Sequence, residues 1–134
     1  MNKPRQNDLP TITKSKSDFS PLVALINEAL LEKKAEKLCV LDVRKVTTLA
    51  DFFVVCQGGS EPQIKALANN VLEKIKEQTG EYVWRKEGLD SKKWVVLDYI
   101  DVVVHIFDEE TRSFYGLENM WNDAEVFVVE DQGA

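Results

Sequence analysis

The stretch from Glu87 to Trp121, EGLDSKKWVVLDYIDVVVHIFDEETRSFYGLENMW, sets one apolar hairpin between two short charged segments, and its reading decides the fold. It holds the only histidine of the chain and two of the three tryptophans. A turn at Tyr99 and Ile100 places Asp98 opposite Asp101, Leu97 opposite Val102, Val96 opposite Val103, Val95 opposite Val104 and Trp94 opposite His105. One face is then wholly aliphatic, with Val95, Leu97, Val102, Val104 and Ile106 ready to pack beneath helices. The other face mixes Trp94, Val96, Asp98, Asp101, Val103, His105 and Phe107. A half-apolar sheet face on a small protein is covered by another part of the same chain, or another molecule docks on it.

Upstream of the hairpin, the best local signature belongs to a helix that starts after Ser60. Ser60 and Gln63 form a capping box, Pro62 lies in the first turn, and Gly80 follows the last apolar position. Ile64, Leu67, Ala68, Val71, Leu72 and Ile75 give that helix one apolar stripe. An earlier helix begins with Ser20 as cap and Pro21 at its first position, and carries Leu22, Ile26, Ala29 and Leu30 at helical spacing. Between the two, Lys37 to Val43 and Asp51 to Cys56 read as strands rich in β-branched and aromatic residues. Tyr82 to Lys86 reads as a third strand before the hairpin. Beyond the hairpin come a short helix near Glu109 to Tyr115, capped by Asp108, and a last turn from Leu117 to Trp121.

The order α-β-β-α-β-β-β-α predicts an α/β domain with a mixed five-stranded sheet and helices mainly on one face. The long helix after Ser60 crosses between strands, so sequential strands cannot all be hairpin neighbours. Residues 1–18 are polar, aperiodic and contain Pro4 and Pro10, and are expected to form a flexible tail. Residues 19–124 form the single domain. Residues 125–134 are expected to be an acidic tail, in which Val126 to Val129 could add a strand.

Composition narrows the function. A chain of 134 residues with 44% hydrophobic and 30% charged residues is one ordinary globular domain. Its longest apolar runs are far too short to span a bilayer, and no signal-peptide core follows Met1. Cys39 and Cys56 lie in strand-like runs far from the lone His105, a spacing that assembles no zinc site and fits buried thiols in a reducing, cytoplasmic setting. The net charge of −6 argues against a binder of phosphate backbones and for a basic protein as partner.

Gly58, Gly59 and Ser60 stand between a strand and a helix N-terminus, where a phosphate could bind. A nucleotidyltransferase would need, besides this loop, two carboxylates one residue apart on a neighbouring strand to hold metals. The positions about ten residues on are Asn69, Asn70 and Val71, and Asp98 and Asp101 lie three apart with no basic residue among them. The loop therefore reads as a tight turn needing positive φ, with Ser60 as helix cap. His105 has no nucleophile whose position the sequence can justify, and reads as a half-buried structural or interface histidine. Neither catalytic residues, nor a cofactor, nor a metal site is expected.

The run WVVLDYIDVVVHIF, followed by RSFYGLENMW and preceded by ADFFVVCQGGS with EGL between, resembles the ribosomal silencing factor family, also called Iojap-like proteins. The resemblance extends from roughly Pro21 to Ala124. It implies a relative of the nucleotidyltransferase fold without catalytic residues. It also implies a factor that binds ribosomal protein L14 on the large subunit and sterically blocks association with the small subunit, with little direct nucleic-acid contact and a possible homodimer when free. The positions matching the family's grip are Trp94, Leu97, Asp98 and Tyr99, although the register above turns Leu97 toward the aliphatic face. Glu87, Asp98 and Asp101 add negative charge that suits a basic partner, and His105 completes the expected partner-binding set. Two departures stand out: the family usually has Gly where this chain has Ile100, and Gly-Asn-Ser where it has Gly58, Gly59 and Ser60. A nucleotide-binding enzyme and a generic dimeric adaptor are the alternatives.

Overall fold

A computed structural model describes residues 12–15, 18–116 and 123–130. Ten elements follow one another: β1 (Ile12–Ser15), α1 (Pro21–Glu32), β2 (Glu36–Asp42), β3 (Phe52–Gly58), α2 (Glu61–Thr79), β4 (Arg85–Glu87), β5 (Trp94–Asp98), β6 (Val102–Asp108), α3 (Glu109–Tyr115) and β7 (Glu125–Glu130). The strands form one mixed sheet in the order β1-β7-β2-β3-β6-β5-β4. β3 and β6 pair in parallel, as do β1 and β7, and the remaining pairs are antiparallel.

The sheet has seven strands where five were expected. Both additional strands come from segments read as tails. Glu125–Glu130 pairs antiparallel with β2, and Ile12–Ser15 adds in parallel to its outer side. Neither run can fold alone, but each finds its backbone partner on a neighbour already in place. Phe127 packs edge-on against Phe19 at 6.0 Å between centroids, and the Lys14 ammonium lies over both rings. The turn expected at Leu117 to Trp121 and the ends of the two expected tails lie outside the described residues.

Two clusters flank the sheet. Val23, Ile26 and Leu30 of α1 and Ile64, Leu67, Val71 and Ile75 of α2 pack with Val40, Val54, Val95, Leu97, Val104 and Ile106 on one face. Cys39, Leu41, Val43, Phe53, Val55 and Phe107 form the second cluster on the other. Cys39 and Cys56 are buried thiols outside any disulfide, on opposite faces, and desolvation raises the Cys56 thiol to about 12.

The caps follow the sequence with two adjustments. Ser60 Oγ accepts from the Gln63 N–H at 3.2 Å, while Gln63 Oε1 reaches one residue further back than a capping box requires and accepts from the Gly59 N–H at 2.7 Å. Ser20 sits at the start of α1 but makes no side-chain cap bond. Gly58 and Gly59 lack the expected positive φ. Gly58 is required by packing instead, because a Cβ there would lie 2.9 Å from Ile64 Cγ1.

Candidate functional site: the hairpin and its edge

The β5–β6 register is displaced from the expected one. Asp98 faces Val103, Leu97 faces Val104, Val96 faces His105, Val95 faces Ile106 and Trp94 faces Phe107. The turn therefore lies at Ile100 and Asp101. Every side chain nonetheless keeps its expected face, because the shift moves each strand by one residue relative to the turn and the pairing sum by two, which preserves parity. The reason for the shift is the turn itself. Tyr99 N–H donates to Val102 O at 2.9 Å, and Asp101 N–H donates to Tyr99 O at 3.0 Å across a single central residue. That residue, Ile100, has φ 76°, the positive-φ form of the γ-turn, which is rare and strained for a β-branched side chain. Asp98 Oδ1 steadies it by accepting from the Ile100 N–H at 2.7 Å.

The expected site residues separate into three groups. Leu97 is fully buried among the aliphatic cluster, and Tyr99 is buried with its hydroxyl lacking a hydrogen-bond partner among the described residues. Both are interior in the monomer, whereas the sequence reading set them in the partner-binding group. Burial pushes the Tyr99 phenol up to about 12, so it stays neutral. A second group carries charge. Asp101 is exposed, Asp98 is half-buried, and Glu87 is exposed on edge strand β4. Arg85 lies 3.4 Å from Glu87 and 3.9 Å from Asp98, so part of this negative charge is met within the chain, at the low value of an exposed pair.

The third group is aromatic and lies on the sheet face away from α1 and α2, which α3 reaches through Arg112 at Cys39 and Gln57. Trp94 is half-buried and stacks on Phe107 at 5.0 Å with 27° between ring planes. Its indole Nε1–H donates to His105 Nδ1 at 3.0 Å. His105 is 7% exposed, stands edge-on to Phe53 at 5.0 Å, and lies nearly parallel to Phe107 at 6.3 Å. Desolvation lowers its pKa to about 4, so the ring is neutral at physiological pH. An acceptor at Nδ1 puts the ring proton on Nε2, which has no hydrogen-bond partner among the described residues.

Beside the hairpin tip the structure exposes apolar surface that sequence reading missed. Tyr82 is 73% exposed, Trp84 62% and Ile100 57%. Trp84 N–H donates to Asp98 O at 2.9 Å, which brings the end of β4 alongside the tip. Arg85 stacks on the Trp84 ring and Lys76 on the Tyr82 ring. The sequence places Tyr82 and Trp84 in a strand over Tyr82 to Lys86, but β4 begins only at Arg85. The available signal was their position in the last strand-like run before the hairpin, which makes them edge candidates.

The Gly58-Gly59-Ser60 turn offers little to a phosphate. The Gly59 N–H is given to Gln63 and the Ser60 hydroxyl to the helix cap. Among the described residues no group of three or more His, Cys, Asp or Glu could hold a metal ion, and no helix is long and apolar enough to cross a membrane.

Among the described residues this seven-stranded α/β domain has a half-buried Trp94 at one end of the β5–β6 hairpin, and exposed Tyr82, Trp84 and Ile100 around its tip and the β4 edge. The sequence profile described as "Ribosomal silencing factor during starvation" matches residues 16–134, and the chain belongs to that family. It is 38% identical over 109 residues to the ribosomal silencing factor RsfS of Halalkalibacterium halodurans, covering 81% of this chain and 92% of that protein. With RsfS of Bacillus subtilis it shares 40% identity over 93 residues, 69% of this chain and 78% of the relative. A crystal structure of a Chromobacterium violaceum protein superposes with a TM-score of 0.72 at 38% identity, covering 75% of this chain and 82% of that one.

Proposed function

We propose that this protein is a translational repressor that binds the large ribosomal subunit through ribosomal protein L14 and keeps the small subunit from joining. The observation that carries the reading is Trp94: a half-exposed indole on the sheet face away from α1 and α2, with the acidic Asp98 and Asp101 further along the same hairpin toward its tip and Glu87 on the adjoining β4. Aromatic anchors of this kind commonly dominate an interface, and a net charge of −6 suits a basic ribosomal protein better than the RNA around it. The family membership and the relatives named for ribosomal silencing support the same reading. No bond need be made or broken, since a domain of this size wedged between two subunits prevents their contacts. The protein acts in the cytoplasm. Its sheet descends from a nucleotidyltransferase-like fold, and the free protein pairs with a second copy through the face that L14 displaces.

Within this reading the docking surface is wider than Trp94. Ile100, Trp84 and Tyr82 extend it along the tip and the β4 edge, whereas Leu97 and Tyr99 support it from beneath. Co-sedimentation with purified large subunits tests the proposal. Trp94→Ala is expected to weaken binding by about 2 kcal/mol or more, roughly thirtyfold, with the fold intact. Full retention of binding by that variant removes the anchor.

A further inference from the structure

We infer that His105 is a positioning residue: its imidazole fixes the rotamer of Trp94 and presents the indole, already oriented, to the ribosomal partner. This rests on the reading of Trp94 as the anchor.

Three features of the geometry carry it. The hydrogen bond is diagonal across the hairpin, since Trp94 lies opposite Phe107 and His105 lies opposite Val96. It joins two side chains that strand pairing alone would leave independent, and at 3.0 Å it is a full bond. The imidazole itself has little freedom, with Phe53 edge-on at 5.0 Å on one side and Phe107 on the other. Phe107 also lies under the indole, so one ring supports both partners while His105 Nδ1 sets the direction of the indole N–H.

The third feature is the cost. A neutral imidazole that accepts at Nδ1 carries its proton on Nε2, and this buried N–H has no hydrogen-bond partner among the described residues. An apolar ring of similar size would fill the space between Phe53 and Phe107 without burying an unanswered donor. Histidine is thus a poor choice for packing at this position and a good one for holding an indole. An indole N–H can only donate, so the residue that orients it must offer an acceptor from within the sheet face. Burial keeps His105 neutral, and therefore an acceptor, across physiological pH. A tryptophan locked before docking loses no rotamer freedom on docking, which is how preorganisation raises affinity without adding a contact.

Two substitutions separate positioning from packing. His105→Phe keeps a ring between Phe53 and Phe107 and removes the acceptor. His105→Asn places a carbonyl oxygen close to where Nδ1 stood, but leaves a void and a buried amide. Stability should therefore rank Phe above Asn, measured by urea unfolding, while affinity for purified large subunits should rank Asn above Phe. The Phe variant is expected to bind about threefold to tenfold more weakly than the unsubstituted protein, the cost of freezing one large side chain at docking. In the free protein, the Trp94 indole N–H signal in 15N NMR, assigned from a Trp94→Phe spectrum, should exchange with water about fivefold faster in His105→Phe and recover in His105→Asn.

Affinity that follows stability, with Asn the weaker binder, overturns the inference, as does an indole signal unmoved by His105→Phe. If Trp94→Ala loses binding while His105→Phe binds normally, the positioning role alone fails. If Trp94→Ala itself binds normally, the anchor fails and the positioning role in binding falls with it.

Discussion

On one face of the β5–β6 hairpin, Val95, Leu97, Val102, Val104 and Ile106 are sealed against α1 and α2; on the other, Trp94, His105 and Phe107 form a stack that stays partly open. The same two strands serve both faces, and the chemistry assigned to each differs. The five aliphatic residues carry no polar side-chain atom and are held by contact area, with Tyr99 buried in the same cluster. The aromatic face spends packing quality on direction, through one hydrogen bond and two ring stacks that orient a single indole. With Trp94 as the proposed anchor, stability and recognition should be separable by parity along the strand, and substitutions on alternate residues should have different consequences.

Leu97 and Trp94, three positions back on the opposite face, show the largest such contrast. Leu97→Ala removes a fully buried side chain from the aliphatic cluster and should cost about 3 kcal/mol of unfolding free energy in urea titration. Because Leu97 is not at the surface, the molecules that remain folded should bind large subunits with unchanged affinity. An affinity loss beyond the folded fraction would mean that the tip transmits core packing to the docking face, and the division by parity would break.

A comparable effect should appear with pH and belongs to the other face. Burial holds folded His105 at about 4, against 6.5 for a free histidine. The unfolded chain therefore takes up the proton first as pH falls. The contribution is complete above about 6.5, is lost as pH drops toward 4, and levels off for this group below that. The loss across this window is at most about 3 kcal/mol. Asp42, whose carboxyl is held below its usual range chiefly by the hydrogen bond from Arg44 with desolvation opposing, adds its own loss only near and below its ordinary value of 3.8. Unfolding curves between pH 7 and pH 4 should show the slope, and His105→Phe should flatten it. An unchanged slope in that variant would assign the proton uptake to another group.

Trp94→Ala sharpens the comparison from the side of recognition. The indole is half-buried, so its removal should lower stability less than Leu97→Ala does, yet it should cost binding about 2 kcal/mol. The two variants together form a crossed pair: one changes stability without affinity, the other mainly affinity.

How much of this was readable from sequence follows from the same period of two. Face assignment along β5 and β6 was legible because parity survives a shift of register, and both buried faces were recovered residue by residue. The register was not legible, because it depends on the turn, and the turn places a β-branched residue at a φ that such residues avoid. Strand β7 was readable only as a possible strand over Val126 to Val129, and β1 not at all, for a different reason. They are short, lie in polar or acidic surroundings, and gain their order from partners distant in sequence, which no local window contains. Of the proposed site, the charged residues and Trp94 could be named by type and position, and the structure leaves each at least partly exposed. That Leu97 and Tyr99 are interior, and that Tyr82 and Trp84 are exposed, is decided by the edge position of β4, which follows from the sheet order and not from propensity.

Ile100 lies where the two faces meet, and it yields the smallest expected effect. Its φ of 76° costs a β-branched residue on the order of 1–2 kcal/mol, and a side chain 57% exposed recovers little of that by burial. Glycine adopts this φ freely but loses more chain entropy on folding, roughly 0.5–1 kcal/mol. Ile100→Gly should therefore raise stability by about 0.5–1 kcal/mol in urea unfolding, leaving the Asp98 Oδ1 bond to the N–H of residue 100 in place. Strain retained at an exposed apolar side chain is explained if that side chain touches the partner. Large-subunit binding should then fall by about threefold to tenfold in a protein that has become more stable. A variant that gains stability and binds as before would place the tip outside the docking surface and confine recognition to Trp94 and the β4 edge.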